Sequence, residues 1–449
     1  MNIILFTLWA LLFVVSLFIL RTLKTKFRIS FSVRVFIAMI AGGLFGFLAY
    51  KTIGSGETLS NLRSYLFVFV GYGFIDLLKM IIIPLVPTSI IVSFLQINDQ
   101  KLLKKIGFRT LGLFFITASV ASLIGVLVAS VMNLGSGMDL TAAAEPSKSS
   151  TVAELFKQFR GFIPSNPIAN AAEMKLVPII VFSLFVAVAA SIEQGRDASK
   201  LKAFKEFMQS FYTVVIRITK IVLKLTPYGV FALSAFWLSN AGGIEAIPEL
   251  GLFVLAIIIA SLLHVTLTYG FGFTVLVNKL NPIKFFKAAS PASILAFTSR
   301  SSAGTLTVTI QTIKERLKVS DRVANFVAPI GAVMNMDACG GIYPAVVAIF
   351  AANAFNIDLS ITQYIIIVFV SILASLGTAG VPMGATIFTT IALSAAGLPV
   401  EAIGLVVGVD FIVDMFRTSV NVTGDMVVAT TVGKSIGEFD EEAFNSATI

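Results

Sequence analysis

Long apolar blocks separated by short basic stretches set the pattern of this chain. A helix needs about 20 apolar residues to cross the hydrocarbon core of a bilayer. Residues 3–20, 35–50, 64–95, 111–132, 176–192, 207–239, 252–277, 324–350 and 403–430 meet or approach that length, predicting about nine transmembrane helices. Alternate loops are rich in cations: Arg21, Lys24, Lys26, Arg28 and Arg34; Lys101, Lys104, Lys105 and Arg109; Arg196, Lys200, Lys202 and Lys205; Lys279, Lys284 and Lys287. Basic loops stay cytoplasmic, which puts the N-terminus outside and the C-terminus in the cytoplasm. The first block has no basic stretch before it and no small-residue cleavage site after it, so it reads as a membrane helix and not a signal peptide. Gly42, Gly43 and Gly46 suit close helix packing, and Pro84 and Pro87 suit kinks. Residues 134–175, rich in Ser, Ala and Pro, are the least membrane-like part.

After Lys287 the pattern changes. Residues 288–297 and 306–313 are apolar half-spans around a polar tip, Thr-Ser-Arg-Ser-Ser-Ala-Gly-Thr at 298–305. Residues 361–376 and 385–398 repeat the arrangement around Gly-Thr-Ala-Gly-Val-Pro-Met-Gly at 377–384. Each pair reads as a re-entrant hairpin, the first entering from inside and the second from outside; two ordinary glycine-weakened helices are the plainer alternative. Paired interrupted segments of opposite orientation point to a transport site at the midplane. The N-terminal half has no such polar interruption and reads as scaffold.

Composition sharpens the class. The 449 residues are 57% hydrophobic and only 13% charged, against about 25% charged in a soluble domain. That excludes a soluble enzyme, a nucleic-acid binder and a disordered chain, and leaves an all-α polytopic protein of the cell membrane with lipid as its surroundings. The net charge of +9 fits positive-inside loops and anionic lipid, not nucleic acid. Cys339 and His264 are the only residues of their kinds, so no disulfide within the chain, zinc cluster or Ser-His-Asp centre is in view. His264 lies in an apolar stretch and reads as a buried or interfacial helix residue. Gly433-Lys-Ser435 lacks the upstream glycine of a P-loop, and the sequon at Asn421 falls within a helix.

The last block carries most of the chemistry. Asp410, Asp414, Arg417, Asn421 and Asp425 are three or four residues apart and share one helix face within roughly an 80° arc. Each acid or arginine facing lipid costs about 2.5–3.5 kcal/mol or more, so this face must look onto a polar cavity or onto itself. Pairing Asp414 with Arg417 leaves two carboxylates in want of a cation. Asn335-Met-Asp337 sits mid-helix between Gly331 and Gly340-Gly341, with Pro344 beyond. A local break there frees carbonyl oxygens which, with Asn335 and Asp337, make an oxygen cage for a hard cation. Ser301, Ser302, Gly304 and Thr305 offer hydroxyls and a helix N-terminus to a carboxylate. Arg417 offers a fork to a second carboxylate, and Asp414 suits an ammonium. Together they describe an amino-acid site. An ion channel built on the same polar helix is the competing class, and an intramembrane enzyme lacks a nucleophile–base pair.

Four blocks in order resemble the dicarboxylate/amino acid:cation symporter family: 298–305, Asn335-Met-Asp337, Gly-Thr-Ala-Gly-Val-Pro at 377–382, and Asp410-Phe-Ile-Val-Asp-Met-Phe-Arg-Thr-Ser-Val-Asn-Val-Thr-Gly-Asp425. The resemblance runs from about residue 28 to the end of the last helix. It implies an inverted-repeat elevator fold, a homotrimer, and Na+ (in some members H+) as coupling ion. It divides the chain into an extra helix at 1–27, scaffold and trimerisation helices at 28–286 with the helix around 110–133 joining the transport core, that core at 287–430, and a cytoplasmic tail at 431–449. It implies that Asp414 binds the substrate amine, Asn421 the α-carboxylate, and Arg417 with Thr418 a distal carboxylate. Ser301, Ser302, Arg300, Val381 and Ala385 would close over the substrate, with Cys339 lining the pocket and Asp410 in support. One cation site would use Gly331, Asn335, Asn421 and Asp425. A second would use carbonyls near Val333, Ser375, Leu376 and Thr378, with Met336. A third would use Asn335, Asp337, Thr117 and the carbonyl of Phe114, and here Ala118 stands where a serine ligand is common. Cys339-Gly-Gly-Ile-Tyr-Pro344, Ala303 and the extra first helix look more like bacterial cystine:cation symporters, while the Asn335, Asp337, Asp410 and Asp425 set resembles the aspartate branch. L-cystine therefore ranks first as substrate, with L-aspartate or L-glutamate second.

Overall fold

The computed structural model describes residues 3–29, 31–95, 106–138, 140, 160–161, 163–173, 175–239, 246–377 and 384–446. Among them the only β-pairing is one isolated bridge, Val319 with Phe439. The principal helices, leaving aside the single-turn pieces Glu57–Leu62 and Pro167–Ala172, are in chain order α1 (Ile3–Thr25), α2 (Phe31–Ile53), α3 (Val68–Leu95), α4 (Phe108–Val131), α5 (Leu176–Arg196), α6 (Ala198–Leu223), α7 (Thr226–Leu238) and α8 (Ala246–Leu263). There follow α9 (Pro282–Ser299), α10 (Ser302–Gln311), α11 (Asp321–Met334), α12 (Tyr343–Ala354), α13 (Ile361–Gly377), α14 (Gly384–Ala395), α15 (Asp410–Ser435) and α16 (Glu441–Ser446). Wider π-wound stretches extend several of them, notably His264–Val277 after α8 and Asp337–Ile342 before α12.

Six of the described helices are long and apolar enough to cross a membrane, or seven counting α6 and α7 as one bent span. α3 and α15 have the length, at 28 and 26 residues, but α3 contains Pro84 and Pro87 and α15 carries the charged face. The basic residues Lys101, Lys104 and Lys105, and most of the 134–175 stretch, lie outside the described residues.

Three expectations change in detail. The span read as 207–239 starts at Ala198 and bends by 48° between α6 and α7, where Pro227 cannot donate to the preceding turn. The span read as 403–430 is not one helix: Ile403–Val406 ends in a turn at 407–409, and α15 starts afresh at Asp410 and runs on to Ser435. Asp410 thus stands in a first helical turn, where the helix dipole favours a carboxylate. The arms of the first hairpin are also longer than 288–297 and 306–313: the first runs Pro282–Ser299, and the second starts at Ser302 and continues past Gln311 as a π-wound stretch to Arg316.

Burial separates periphery from centre. The window of the 321–354 span is 94% buried, whereas that of α1 is 17% buried. α1 rests on α2 and its neighbours through aromatic rings: Trp9 on Phe45 at 5.0 Å, and Phe13 on Phe67 at 5.4 Å and Phe231 at 5.6 Å. α2 and α7 meet backbone to backbone, because a Cβ at Gly42 or Gly46 would run into the carbonyls of Phe231 or Ala235. α4 packs on the Asp337–Ile342 stretch, α12 and α13. Past α15 the chain folds back beneath the first hairpin: Arg322 pairs with Glu438 at 3.2 Å, and Lys284 donates to the Asn445 carbonyl at 2.7 Å.

Candidate functional site

The first hairpin turns at Arg300, a non-glycine residue in the left-handed region (φ 53°, ψ 37°), which closes α9. Ser301 then caps α10, its Oγ accepting the Gly304 N–H at 3.0 Å. Thr305 donates back to the Ser301 carbonyl at 2.8 Å, and Ser302 is buried in the first turn of α10. The hairpin is tied to α15 by Ser293 with Thr423 at 2.8 Å, Ser419 with the Ser293 carbonyl at 3.1 Å, and Phe297 on Phe416 at 5.1 Å. In the second hairpin Ala385 is buried at the start of α14, while Thr378 and Val381 lie outside the described residues, as does the side chain of Leu376.

The expected face of α15 is buried throughout: Asp410, Asp414, Arg417, Thr418, Asn421 and Asp425. Arg417 donates through Nη2 to Asp410 at 2.6 Å and to Asp414 at 3.2 Å. Its guanidinium lies 3.8 Å from the ring centre of Tyr343, and Thr418 donates to Asp414 at 3.5 Å. Asp410 Oδ2, Asp414 Oδ2, Arg417 Nε and Arg417 Nη1 are buried without a hydrogen-bond partner. Leaving such a group unpaired costs about 1–3 kcal/mol, more when it is charged. These acceptors and donors are of the kinds that an ammonium and a carboxylate complement.

The predicted break in the 324–350 helix is present and falls at Asn335 and Met336, whose φ, ψ values of −109°, 64° and −101°, 55° are not helical. The surrounding side chains brace it. Asn421 accepts the Ala338 N–H at 2.8 Å and points its amide at Met336 Sδ, 3.2 Å away; Ser375 Oγ accepts the Met336 N–H at 3.1 Å. Asn335 donates to Asp425 at 3.0 Å, and a Cβ on Gly331 would overlap the Asp425 carboxylate, so only glycine admits that group here. The side chain of Val333 is half-buried and that of Cys339 buried. Thr117 donates towards Asp337 at 3.1 Å, Asn335 at 3.4 Å and the carbonyl of Phe114 at 3.2 Å. Thus Gly331, Asn335, Asn421 and Asp425 come together, as do Asn335, Asp337, Thr117 and Phe114. The donors brought together here are carboxylate, amide, hydroxyl and carbonyl oxygens, a set that suits a hard cation.

Sequence reasoning missed three residues. Tyr269 donates to Asp337 Oδ2 at 2.5 Å, and His264 Nε2 lies 3.3 Å from the same oxygen. Both lie on the π-wound continuation of α8, and π turns recur at functional sites. His264 is buried as expected, but against the polar centre and not an apolar one. The third, Tyr343, is the platform beneath Arg417. A tyrosine or histidine in an apolar run carries no periodic signal of its own; only the fold brings these to the acids.

A helical chain with several membrane-length apolar spans, two interrupted helix pairs and a buried cluster of acids around an arginine has the architecture of a polytopic membrane transporter. The model of the sodium:dicarboxylate symporter family matches residues 31–435, and the chain belongs to that family. It is 32% identical over 435 residues to the L-cystine uptake protein TcyP of Bacillus cereus, covering 93% of this chain and 92% of that protein. It is 31% identical to the protein of the same name from Shouchella clausii over 94% of this chain and 92% of that one. With that of Bacillus licheniformis it shares 30% identity over 99% and 98%. The resemblance read from the four sequence blocks is therefore borne out, and the channel and enzyme alternatives fall away.

Proposed function

We propose that this protein is a Na+-coupled L-cystine symporter of the cell membrane, working as a homotrimer whose transport core moves as an elevator against a fixed scaffold. The observation that carries the reading is the buried row on α15, where Arg417 lies between two carboxylates with polar atoms of all three groups unpartnered. L-cystine carries an ammonium and a carboxylate at each end. One end fits Asp414, Asn421 and the Ser301–Ser302 turn, and the carboxylate of the other end fits Arg417 and Thr418. The relatives named for L-cystine uptake favour this substrate over L-aspartate or L-glutamate, which stand second. Coupling cations would use the Asp425–Asn335 pair with Gly331 and Asn421, the Met336–Ser375 turn, and Asp337 with Thr117.

The architecture assigned to this function has nine spans and two re-entrant hairpins, with the N-terminus outside and the C-terminus in the cytoplasm. In it α1 is an added helix, residues 28–286 form the scaffold except for α4, and residues 287–430 with α4 form the moving core. The packing of α4 on the Asp337–Ile342 stretch, α12 and α13 supports its inclusion. The test is uptake of labelled L-cystine into proteoliposomes with and without an inward Na+ gradient, competed by L-aspartate. Gradient-driven cystine uptake that resists aspartate is expected. Uptake of aspartate alone would overturn the substrate, and cystine uptake indifferent to Na+ would overturn the ion.

A further inference from the structure

Arg34 is a buried cation without a counter-ion. It stands in the first turn of α2 and is 7% exposed. Its Nε is closed off and has no hydrogen-bond partner, and neither Nη makes a hydrogen bond or ion pair among the described residues. What it does touch is the ring of Phe31, the first residue of α2, whose centre lies 5.7 Å from the guanidinium. That is close to the roughly 6 Å limit of a cation–π contact and satisfies none of the N–H groups. The contact also fixes a direction: the side chain leans back towards the start of the helix, as helical side chains do. With Nε sealed, a ligand is met at the Nη edge.

Two positive features therefore coincide. The start of a helix presents N–H groups without intrahelical acceptors and a partial positive charge, which makes the first turn the unfavourable end for a cation. Nothing nearby in the sequence offsets it. The first turn of α2 holds no acid, and no Asp or Glu precedes Glu57, whereas Arg21, Lys24, Lys26 and Arg28 gather just ahead of the helix. A buried charge is kept at low cost only when it is paired and hydrogen-bonded. An anion seated between Arg34 and the start of α2 answers both features at once.

We propose that the start of α2 binds the phosphate of an anionic membrane phospholipid, held by Nη1 and Nη2 of Arg34 and by N–H groups of the first turn. Depth favours a lipid over free phosphate. The membrane-length apolar stretch of α2 opens at Val33, so Arg34 stands where hydrocarbon gives way to headgroups. Phe27 and Val33 beside it are 63% and 46% exposed and offer apolar contact to an acyl chain. Lys24, Lys26 and Arg28 are exposed around the same helix start and attract a headgroup of net negative charge. The site stands apart from the transport reading and is tested by binding alone.

The test is native mass spectrometry of the purified full chain in detergent, titrated with phosphatidylglycerol or with phosphatidylcholine of the same acyl chains. The first phosphatidylglycerol is expected to bind at least about fivefold more tightly than phosphatidylcholine. Arg34→Gln removes charge and fork together and should weaken phosphatidylglycerol about tenfold or more. Arg34→Lys keeps the charge without the fork and should fall between. Lys51→Gln, at the far end of the same helix, should change binding less than about twofold, since an exposed charge more than a Debye length away is screened. Equal binding of the two lipids would overturn the proposal, as would phosphatidylglycerol binding unchanged in an Arg34→Gln variant that runs normally on gel filtration. Displacement of the lipid by excess inorganic phosphate would overturn the lipid as the source of the anion. Should Arg34→Gln fail to assemble, Arg34→Lys decides: a preference for phosphatidylglycerol that does not fall there overturns the site.

Discussion

Arg417 is held more closely by Asp410, about two helical turns away, than by Asp414 within a single turn: 2.6 Å against 3.2 Å, both through Nη2. Either two-pronged edge of a guanidinium, Nε with Nη2 or Nη1 with Nη2, includes the nitrogen that Asp410 already occupies. A substrate carboxylate that takes both prongs must therefore share Nη2 with Asp410. The closeness of that pair follows from the turn at 407–409, which ends the preceding helix and places Asp410 in the opening turn of α15.

Asp410→Asn should accordingly tighten cystine binding. The amide still accepts a hydrogen bond but competes for the guanidinium without a charge. The KM for L-cystine is expected to fall about three- to tenfold, with turnover reduced because release slows; the energies concerned are those of one charge-assisted hydrogen bond, about 1.5–3 kcal/mol. Uptake kinetics in proteoliposomes check this, and a KM that rises with turnover unchanged would show that Asp410 helps to bind substrate.

Asp414→Asn removes the carboxylate assigned to the substrate ammonium while keeping volume and one acceptor. Uptake should fall at least tenfold and up to about 150-fold, the range that a lost charged hydrogen bond allows. Gel filtration should show the assembly intact, because Arg417 retains Asp410. Uptake close to that of the unaltered protein would refute the assignment of the amine site.

Tyr343 offers its ring face to Arg417 at 3.8 Å in a fully buried setting, where a cation–π contact is worth about 2 kcal/mol or more. Tyr343→Phe should keep uptake within about twofold, since the face is retained. Tyr343→Leu should lose about 30-fold in kcat/KM. Equal losses in both variants would assign the effect to the hydroxyl, which has no hydrogen-bond partner in the structure.

How much of this was readable beforehand depends on what kind of signal each residue carries. The face Asp410–Asp425 was legible because charge on an apolar helix is costly enough to leave one explanation, and the spacing fixes the face. The break at Asn335 was legible from Gly331, Gly340, Gly341 and Pro344, although the backbone leaves the helix at Asn335 and Met336 and at none of those residues. The turn at 407–409 was not legible: Gly408 in an apolar run also occurs in unbroken helices, and no proline marks the place. The convergence of His264, Tyr269 and Tyr343 was not legible either. It depends on how α8 and α12 are rotated about their axes, which packing decides and composition does not.

Asp337 receives Thr117 on one oxygen and Tyr269 and His264 on the other, so its orientation rests on three side chains from two other helical segments. If it serves a coupling cation, loosening it should weaken the cation and spare the amino acid, whose cluster hangs on α15 and Tyr343. Thr117→Ala removes one donor, and His264→Leu removes another while leaving the ring of Tyr269 without its neighbour 4.5 Å away. Each is expected to raise the Na+ concentration for half-maximal uptake about three- to tenfold, the equivalent of one hydrogen bond lost beside a charge. The KM for L-cystine at saturating Na+ should move less than about twofold. His264→Gln, which can still donate an N–H to Asp337, should restore much of the loss. A Na+ titration of uptake in the three variants separates the outcomes: if cystine KM shifts as far as the Na+ dependence does, Asp337 belongs to the substrate site and the cation must be held elsewhere.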